Sequence, residues 1–96
     1  MSEFEALHLP SAAFEKGGVE VLRAAIIDEG LHVSLKRAFD DPSTWGVLLA
    51  DIARHVSRVY AKETGASEAE VVVDIRRLFD AELDQPTDVG STDAMN

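Results

Sequence analysis

The sequence has no cysteine among its 96 residues. This absence excludes disulfide bonds, thiolate nucleophiles, and zinc or iron–sulfur centres held by cysteine. A chain without cysteine suits a reducing compartment, and the first nine residues lack the basic start and apolar stretch of a signal peptide. We therefore expect a cytoplasmic protein.

Long apolar runs and a basic excess are also missing. No stretch approaches the roughly 18 apolar residues of a membrane span. The formal net charge is −9, which repels nucleic-acid phosphates and anionic lipids. The acidity is concentrated in residues 63–96, which hold nine acids and two bases, whereas residues 1–62 hold nine acids and seven bases. We expect neither a membrane nor a nucleic acid as partner.

The composition is that of one small globular domain. The sequence is 46% hydrophobic and 28% charged, as in ordinary soluble proteins. So short a chain buries only a modest core, which dimerisation would supplement. We predict a single domain over residues 1–84 that begins with a lead-in at 1–18. Residues 85–96 lack a periodic apolar pattern and are predicted to form a flexible tail.

Residues 19–39 have the pattern of a β-hairpin. Residues 31–35 alternate between apolar and polar, with the period of a half-buried strand. A two-residue turn at 29–30 pairs Ile26 with Val33 and sets which side chains share the inner face. The alternative is a helix over the first arm, which its two alanines favour and its β-branched residues oppose.

Two strands alone make a marginal sheet, so the hairpin needs support. Either residues 4–9 add a third strand or an edge pairs with another copy of the chain. The outer hairpin face includes Val21 and Ile27 beside polar side chains, and such a partly apolar face can serve as an interface. We expect a homodimer.

The clearest pattern is a long helix over residues 42–64. Asp41 can cap it, Pro42 suits its first position and Gly65 can end it. At 100° per residue the large apolar side chains form one stripe, and a mostly polar side lies opposite. The stripe comprises Trp45, Leu48, Leu49, Ile52, Val56, Val59 and Tyr60; Ala50, Arg54, Ser57, Arg58 and Ala61 lie opposite.

A second helix is predicted over residues 67–84. Ser67 and Glu70 have the spacing of a capping box, and apolar residues then recur with a period of 3.6 up to Leu83. A short strand at 71–73 is the alternative. The expected fold class is α+β: a two-layer domain in which an antiparallel β-hairpin packs against two α-helices.

Two histidines and an aspartate are the only candidates for a ligand or metal site. Asp51 and His55 lie one turn apart on the long helix, where a carboxylate can orient an imidazole. If His32 of the hairpin lay close by, the three residues would form a two-histidine, one-carboxylate set suited to zinc or ferrous iron. The simpler interpretation is favoured, in which Asp51 and His55 form only the polar edge of a packed helix.

A line of basic residues is the other candidate surface. Arg54, Arg58 and Lys62 recur every four residues on the long helix and can contact an acidic partner or the acidic second helix of another subunit. The chain has neither a phosphate-binding glycine loop nor a serine in a nucleophile-elbow context. We therefore expect a non-enzymatic protein without a cofactor.

The stretch from Leu9 to Ala61 resembles a family of small alphaproteobacterial proteins known as domain of unknown function 5076. Its most specific pieces are GLHVSL and WGVLLADIARHV. The family has no known activity, so the resemblance implies no catalytic residues. It implies a bacterial, cytosolic and compact single domain.

Overall fold

The structure is a computed structural model that describes residues 3–95. Its elements in chain order are helix α1 (Ser11–Lys16), strands β1 (Leu22–Ile27) and β2 (Gly30–Lys36), helices α2 (Thr44–Thr64) and α3 (Glu68–Asp84), and strand β3 (Ser91–Met95). The predicted α+β class, with a β-hairpin and two long helices, is confirmed.

Strands β1 and β2 form the predicted antiparallel hairpin, so the alternative of a helix in the first arm is wrong. The turn uses residues 28–29, both with positive φ (49° and 68°), instead of the predicted 29–30. Val33 therefore lies opposite Ala24 and not opposite Ile26. The error arises because an Asp-Glu pair adopts the left-handed backbone that two-residue turns normally obtain from Asn or Gly. The side chains predicted to share the inner face of the hairpin still lie on one face, because the register shifts by an even number of residues.

The third strand is β3, which pairs in parallel with β2 and gives the order β1-β2-β3. The alternative in which residues 4–9 add the third strand is wrong: residues 3–10 have no regular structure. The predicted flexible tail needs the same correction, because residues 91–95 of it form this strand. The segment STDAM has no pronounced apolar alternation, and its place in the sheet depends on backbone pairing that local pattern does not reveal.

Side chains fix the path from α3 into β3. The Asp88 carboxylate accepts hydrogen bonds from the backbone N–H of Leu31 (2.8 Å) and of Gly90 (2.9 Å). The Glu82 carboxylate accepts from the N–H (2.9 Å) and hydroxyl (2.8 Å) of Thr87, and these bonds hold the Glu82 pKa below its usual value. Gly90 has φ +48°, and a Cβ there would overlap the carbonyl oxygen of Leu31.

Helix α2 begins two residues later than predicted. The Asp41 carboxylate does not cap it but accepts from the backbone N–H (2.9 Å) and hydroxyl (2.8 Å) of Ser43, forming a turn before Thr44. The backbone N–H of Ser43, first, and its hydroxyl lower the Asp41 pKa. Gly65 ends the helix in the left-handed conformation, as predicted.

Helix α3 has the predicted cap. The Ser67 hydroxyl oxygen accepts from the backbone N–H of Glu70 (3.4 Å). The alternative of a strand at residues 71–73 is wrong, because these residues continue the helix. Its first turn contains Glu68 and Glu70, where negative charge interacts favourably with the helix dipole.

The elements pack on one another incompletely. The strands pair and α2 packs on α3, but within residues 3–95 no strand packs on α2 or α3, and α1 packs on none of them. No hydrophobic side chain among these residues is buried. The chain exposes 8605 Å², whereas a globular monomer of 10.4 kDa exposes about 5,400 Å². Its radius of gyration is 15.3 Å, against about 12.5 Å for a compact domain of this length.

Candidate functional site

Helix α2 contacts α3 through its small residues. Ala53, Ser57 and Ala61 recur every four residues and are the positions where this side of α2 is most covered; Ser57 is only 1% exposed. The Ser57 hydroxyl donates to the Arg54 carbonyl oxygen (2.7 Å), so its polar group is satisfied. A groove of about 320 Å³ between the helices is lined by Ala53 together with Val72 and other residues of both helices. Small side chains let the two helices approach closely.

The large apolar residues of α2 lie mostly uncovered. We call the predicted set (Trp45, Leu48, Leu49, Ile52, Val56, Val59 and Tyr60) the apolar stripe. Its members are half-buried or exposed, with 37% of Val56 and 52% of Tyr60 accessible. Trp45 has a partner, since its ring meets the ring of Phe39 edge-on with centroids 5.6 Å apart. The C-terminal half of α3 extends this exposed apolar surface with Phe79 and Leu83.

The sheet also has a large uncharged face, comparable to the apolar stripe of α2. Alternation along the strands and the observed register place eight side chains together. This inner sheet face consists of Leu22, Ala24, Ile26, Leu31, Val33, Leu35, Thr92 and Ala94. Seven of the eight are aliphatic and none is charged, yet none is buried, and 72% of Ile26 is accessible.

The predicted metal set is not assembled. His32 lies on β2, whereas Asp51 and His55 lie on α2, which does not pack on the sheet. Within residues 3–95 no three histidine or acidic side chains are grouped to hold a metal ion. The His55 Nδ1 atom lies 3.4 Å from an Arg58 guanidinium nitrogen, and no hydrogen bond joins His55 to Asp51. The imidazole was expected to turn towards Asp51, but it lies against the next turn of the helix.

His32 instead has a partner that the sequence did not indicate. Its Nδ1 atom lies 2.5 Å from the hydroxyl oxygen of Ser91, the residue beside it on β3. A hydroxyl next to an imidazole resembles part of a nucleophilic site, but that chemistry also requires an orienting group on the second ring nitrogen and donors for an oxyanion. The pair is exposed and links two strands. The sequence could not predict this pair, because Ser91 lies on β3, a strand without an alternating apolar pattern.

The basic line contributes to the helix pair. Arg58 lies 4.0 Å from the Glu68 carboxylate of α3, so its acidic partner belongs to the same chain. Both side chains are exposed, and such an ion pair contributes little to stability. Arg54 borders the groove between α2 and α3. Lys62 lies exposed in the last turn of α2.

The predicted outer hairpin face is present. Val21 is half-buried, and 47% of Ile27 is accessible. Arg23, on the same face, forms an exposed ion pair with Glu20 (3.1 Å). This face therefore mixes apolar and charged groups, unlike the inner sheet face.

None of the helices in the described part of the chain combines the length and the apolarity needed to cross a bilayer.

Comparisons with known proteins give one family and a similar solved structure. The profile of the family described as Domain of unknown function (DUF5076) matches residues 6–87. A solved structure named a "putative pyruvate dehydrogenase", from the photosynthetic bacterium Rhodopseudomonas palustrus CGA009, is 41% identical with a TM-score of 0.72. The match covers 100% of both chains. Among curated proteins none matches.

Proposed function

The chain belongs to the DUF5076 family, and we propose that it is a non-enzymatic protein that works through protein contacts as a homodimer. One observation carries the proposal: no hydrophobic side chain in residues 3–95 is buried within the chain. Hydrophobic burial is the dominant favourable term in folding. A sequence with two amphipathic helices and a hairpin needs a core, and a second copy can complete it.

The exposed area is sufficient for such a dimer. The chain exposes about 3,200 Å² more than a globular monomer of its mass. Two chains that covered this excess would bury up to about 6,400 Å², a value in the range of obligate homodimers. Transient complexes bury far less, so the area supports a permanent partner.

The polar surface then remains for other proteins. We propose that the outer hairpin face, with Val21 and Ile27, and the side of α2 with Arg54, Arg58 and Lys62 contact a further protein partner. The net charge of −9 disfavours nucleic acid. The absence of cysteine supports a location in the bacterial cytoplasm.

The name of the Rhodopseudomonas protein raises pyruvate oxidation as a second candidate, favoured by 41% identity over both whole chains. The residues of this chain support the non-enzymatic proposal. His32 and His55 lie on elements that do not pack together, and the sequence has no glycine-rich phosphate loop. An assay of the purified chain with pyruvate, coenzyme A, thiamine diphosphate and NAD decides between the two. NADH formation above buffer that is lost in His32→Ala or His55→Ala would overturn the proposal.

The dimer is tested by light scattering during size-exclusion chromatography, across dilutions from 200 to about 1 μM. We expect twice the 10.4 kDa chain mass at all but the lowest concentrations. We also expect the melting temperature to fall on dilution, because unfolding is coupled to dissociation. A folded 10.4 kDa monomer with a melting temperature independent of concentration would refute the homodimer.

A further inference from the structure

We infer that the dimer is exchanged: the α2–α3 pair of each protomer covers the inner sheet face of its partner. This inference rests on the proposed homodimer and specifies how its two copies meet. The apolar stripe and the inner sheet face are the two large uncharged surfaces of the chain, and they do not contact each other within one copy. Reciprocal contact covers both surfaces at once.

The topology supports this arrangement. Strands β2 and β3 are parallel neighbours, and α2 and α3 form the connection between them. A crossover connection between parallel strands normally packs its helices on the sheet that it joins. Here the connection packs on no strand of its own chain. The linkers, residues 37–43 and 85–90, span at most about 20–25 Å each, so the helix pair can lie off its own sheet even though Asp88 ties the second linker to β2.

The two surfaces match in size. The strands have five to seven residues and are about 17–23 Å long, and the three together span about 10 Å between the outer strand axes. Helices α2 and α3, of 21 and 17 residues, are about 31 and 25 Å long, and packed helices lie 8–10 Å apart. A helix pair of these dimensions covers a three-stranded sheet.

The chemistry of the surfaces also favours a second copy over a partner with charged groups. The inner sheet face has no charged residue, and the apolar stripe has none. Both copies have a charge of −9, and this arrangement leaves their acidic residues outside, in water. A charged peptide placed between the two surfaces would leave its charges unpaired, at a cost of several kcal/mol each.

The N-terminal segment is the competing occupant. Residues 3–18 include exposed apolar side chains such as Leu7 and Phe14, and α1 packs on no other element. This segment is narrower than the helix pair, since α1 has six residues. A helix of six residues is about 9 Å long against strands of about 20 Å, so we assign the face to the partner's longer helices.

Two adjacent alanines on β1 provide a matched test. Ala24 lies on the inner sheet face, and Ala25 lies on the outer face beside His32. In the isolated chain Ala25 is the more covered of the two, so a monomer fold predicts that Ala25→Asp is the more harmful change. The exchanged dimer predicts the reverse. We expect Ala24→Asp to weaken dimerisation at least 100-fold, because it buries an unpaired carboxylate, and Ala25→Asp to change it less than tenfold.

Isotope-filtered NMR gives a second readout that needs no mutation. Labelled and unlabelled chains are unfolded together and refolded to form mixed dimers. We expect nuclear Overhauser effects between chains that join methyl groups of Ile26, Leu31 or Val33 to the rings of Tyr60 or Phe79. A dimer whose cross-chain contacts join only helix to helix, or only outer face to outer face, would refute the exchange but preserve the homodimer. A monomer in light scattering would refute both.

Discussion

The two sides of helix α2 differ in what covers them. The side with small residues, centred on Ser57, is the more covered one. The larger side chains of the apolar stripe are more accessible, although one edge of the stripe (Leu49, Val56 and Tyr60) borders the grooves beside α3. Hydrophobic stabilisation is roughly proportional to the apolar area removed from water. The contact between α2 and α3 therefore buries the side of α2 with less apolar area, and most of the apolar area of the helix remains available for a further contact.

The largest effect is expected from a charge in the apolar stripe. Ile52→Asp places a carboxylate in the stripe away from α3, where the partner's sheet would pack, and we expect a loss of about 3 kcal/mol or more in the free energy of unfolding. Urea unfolding at one fixed protein concentration measures it. Val47→Asp is the matched control, because Val47 lies on the opposite side of the same helix and is 63% exposed.

The control should change stability by less than about 0.5 kcal/mol. If the two substitutions have equal effects, the apolar stripe is not buried in the native protein, and the difference between the two sides of α2 disappears.

A large side chain on the small side tests the contact with α3. Ser57→Leu adds volume at a position that is only 1% exposed. Overpacking of this kind costs about 1–3 kcal/mol. Ser57→Ala is the control, because alanine fits the space and its higher helix propensity offsets the lost hydrogen bond to the Arg54 carbonyl. Unchanged stability in Ser57→Leu would show that α3 packs elsewhere on α2.

The difference between these sides also marks the limit of sequence analysis. The 3.6-residue period predicted both long helices and the members of the apolar stripe, because periodicity and caps are local properties. The same period cannot specify what covers the stripe. The small residues near Ser57 were assigned to the polar side, although a small polar residue suits a close helix contact once its hydroxyl bonds to its own helix.

The sheet could likewise be predicted only where its pattern is local. Alternation predicted the two hairpin strands and their faces, but β3 was missed, and with it the Ser91 partner of His32. That pair brings together residues 59 positions apart, and only the parallel pairing of β3 with β2 creates it. The predicted grouping of His32 with Asp51 and His55 failed for a related reason, because it assumed that α2 packs on the sheet of its own chain.

A smaller effect is expected where β3 joins the sheet. Gly90→Ala places a Cβ against the Leu31 carbonyl and strains a left-handed backbone, which costs about 1–3 kcal/mol. Hydrogen exchange should accelerate at the β2 amides that pair with β3. Gly46→Ala in α2 is the control: its Cβ meets nothing within 4 Å, and a helical glycine replaced by alanine should stabilise by about 0.5–1 kcal/mol. Equal protection of β2 in both variants would contradict the position of β3.

The smallest effect concerns pH and the two links that join the helix pair to the sheet. Because bonds from Thr87 lower the Glu82 pKa from 4.5, Glu82 stabilises the folded state most above pH 4.5, and this contribution is lost as the pH falls through the lowered pKa. Glu82→Gln should therefore reduce stability at pH 7, and its stability should converge with that of the parent protein once the pH falls below the lowered pKa. Asp41→Asn provides the comparison, since Asp41 forms a similar bond pattern with Ser43 at the other link. Only the Glu82 change should accelerate amide exchange in β3, because Glu82 and Thr87 precede that strand. Equal acceleration by both would show that each link affects the whole sheet and not only its own end.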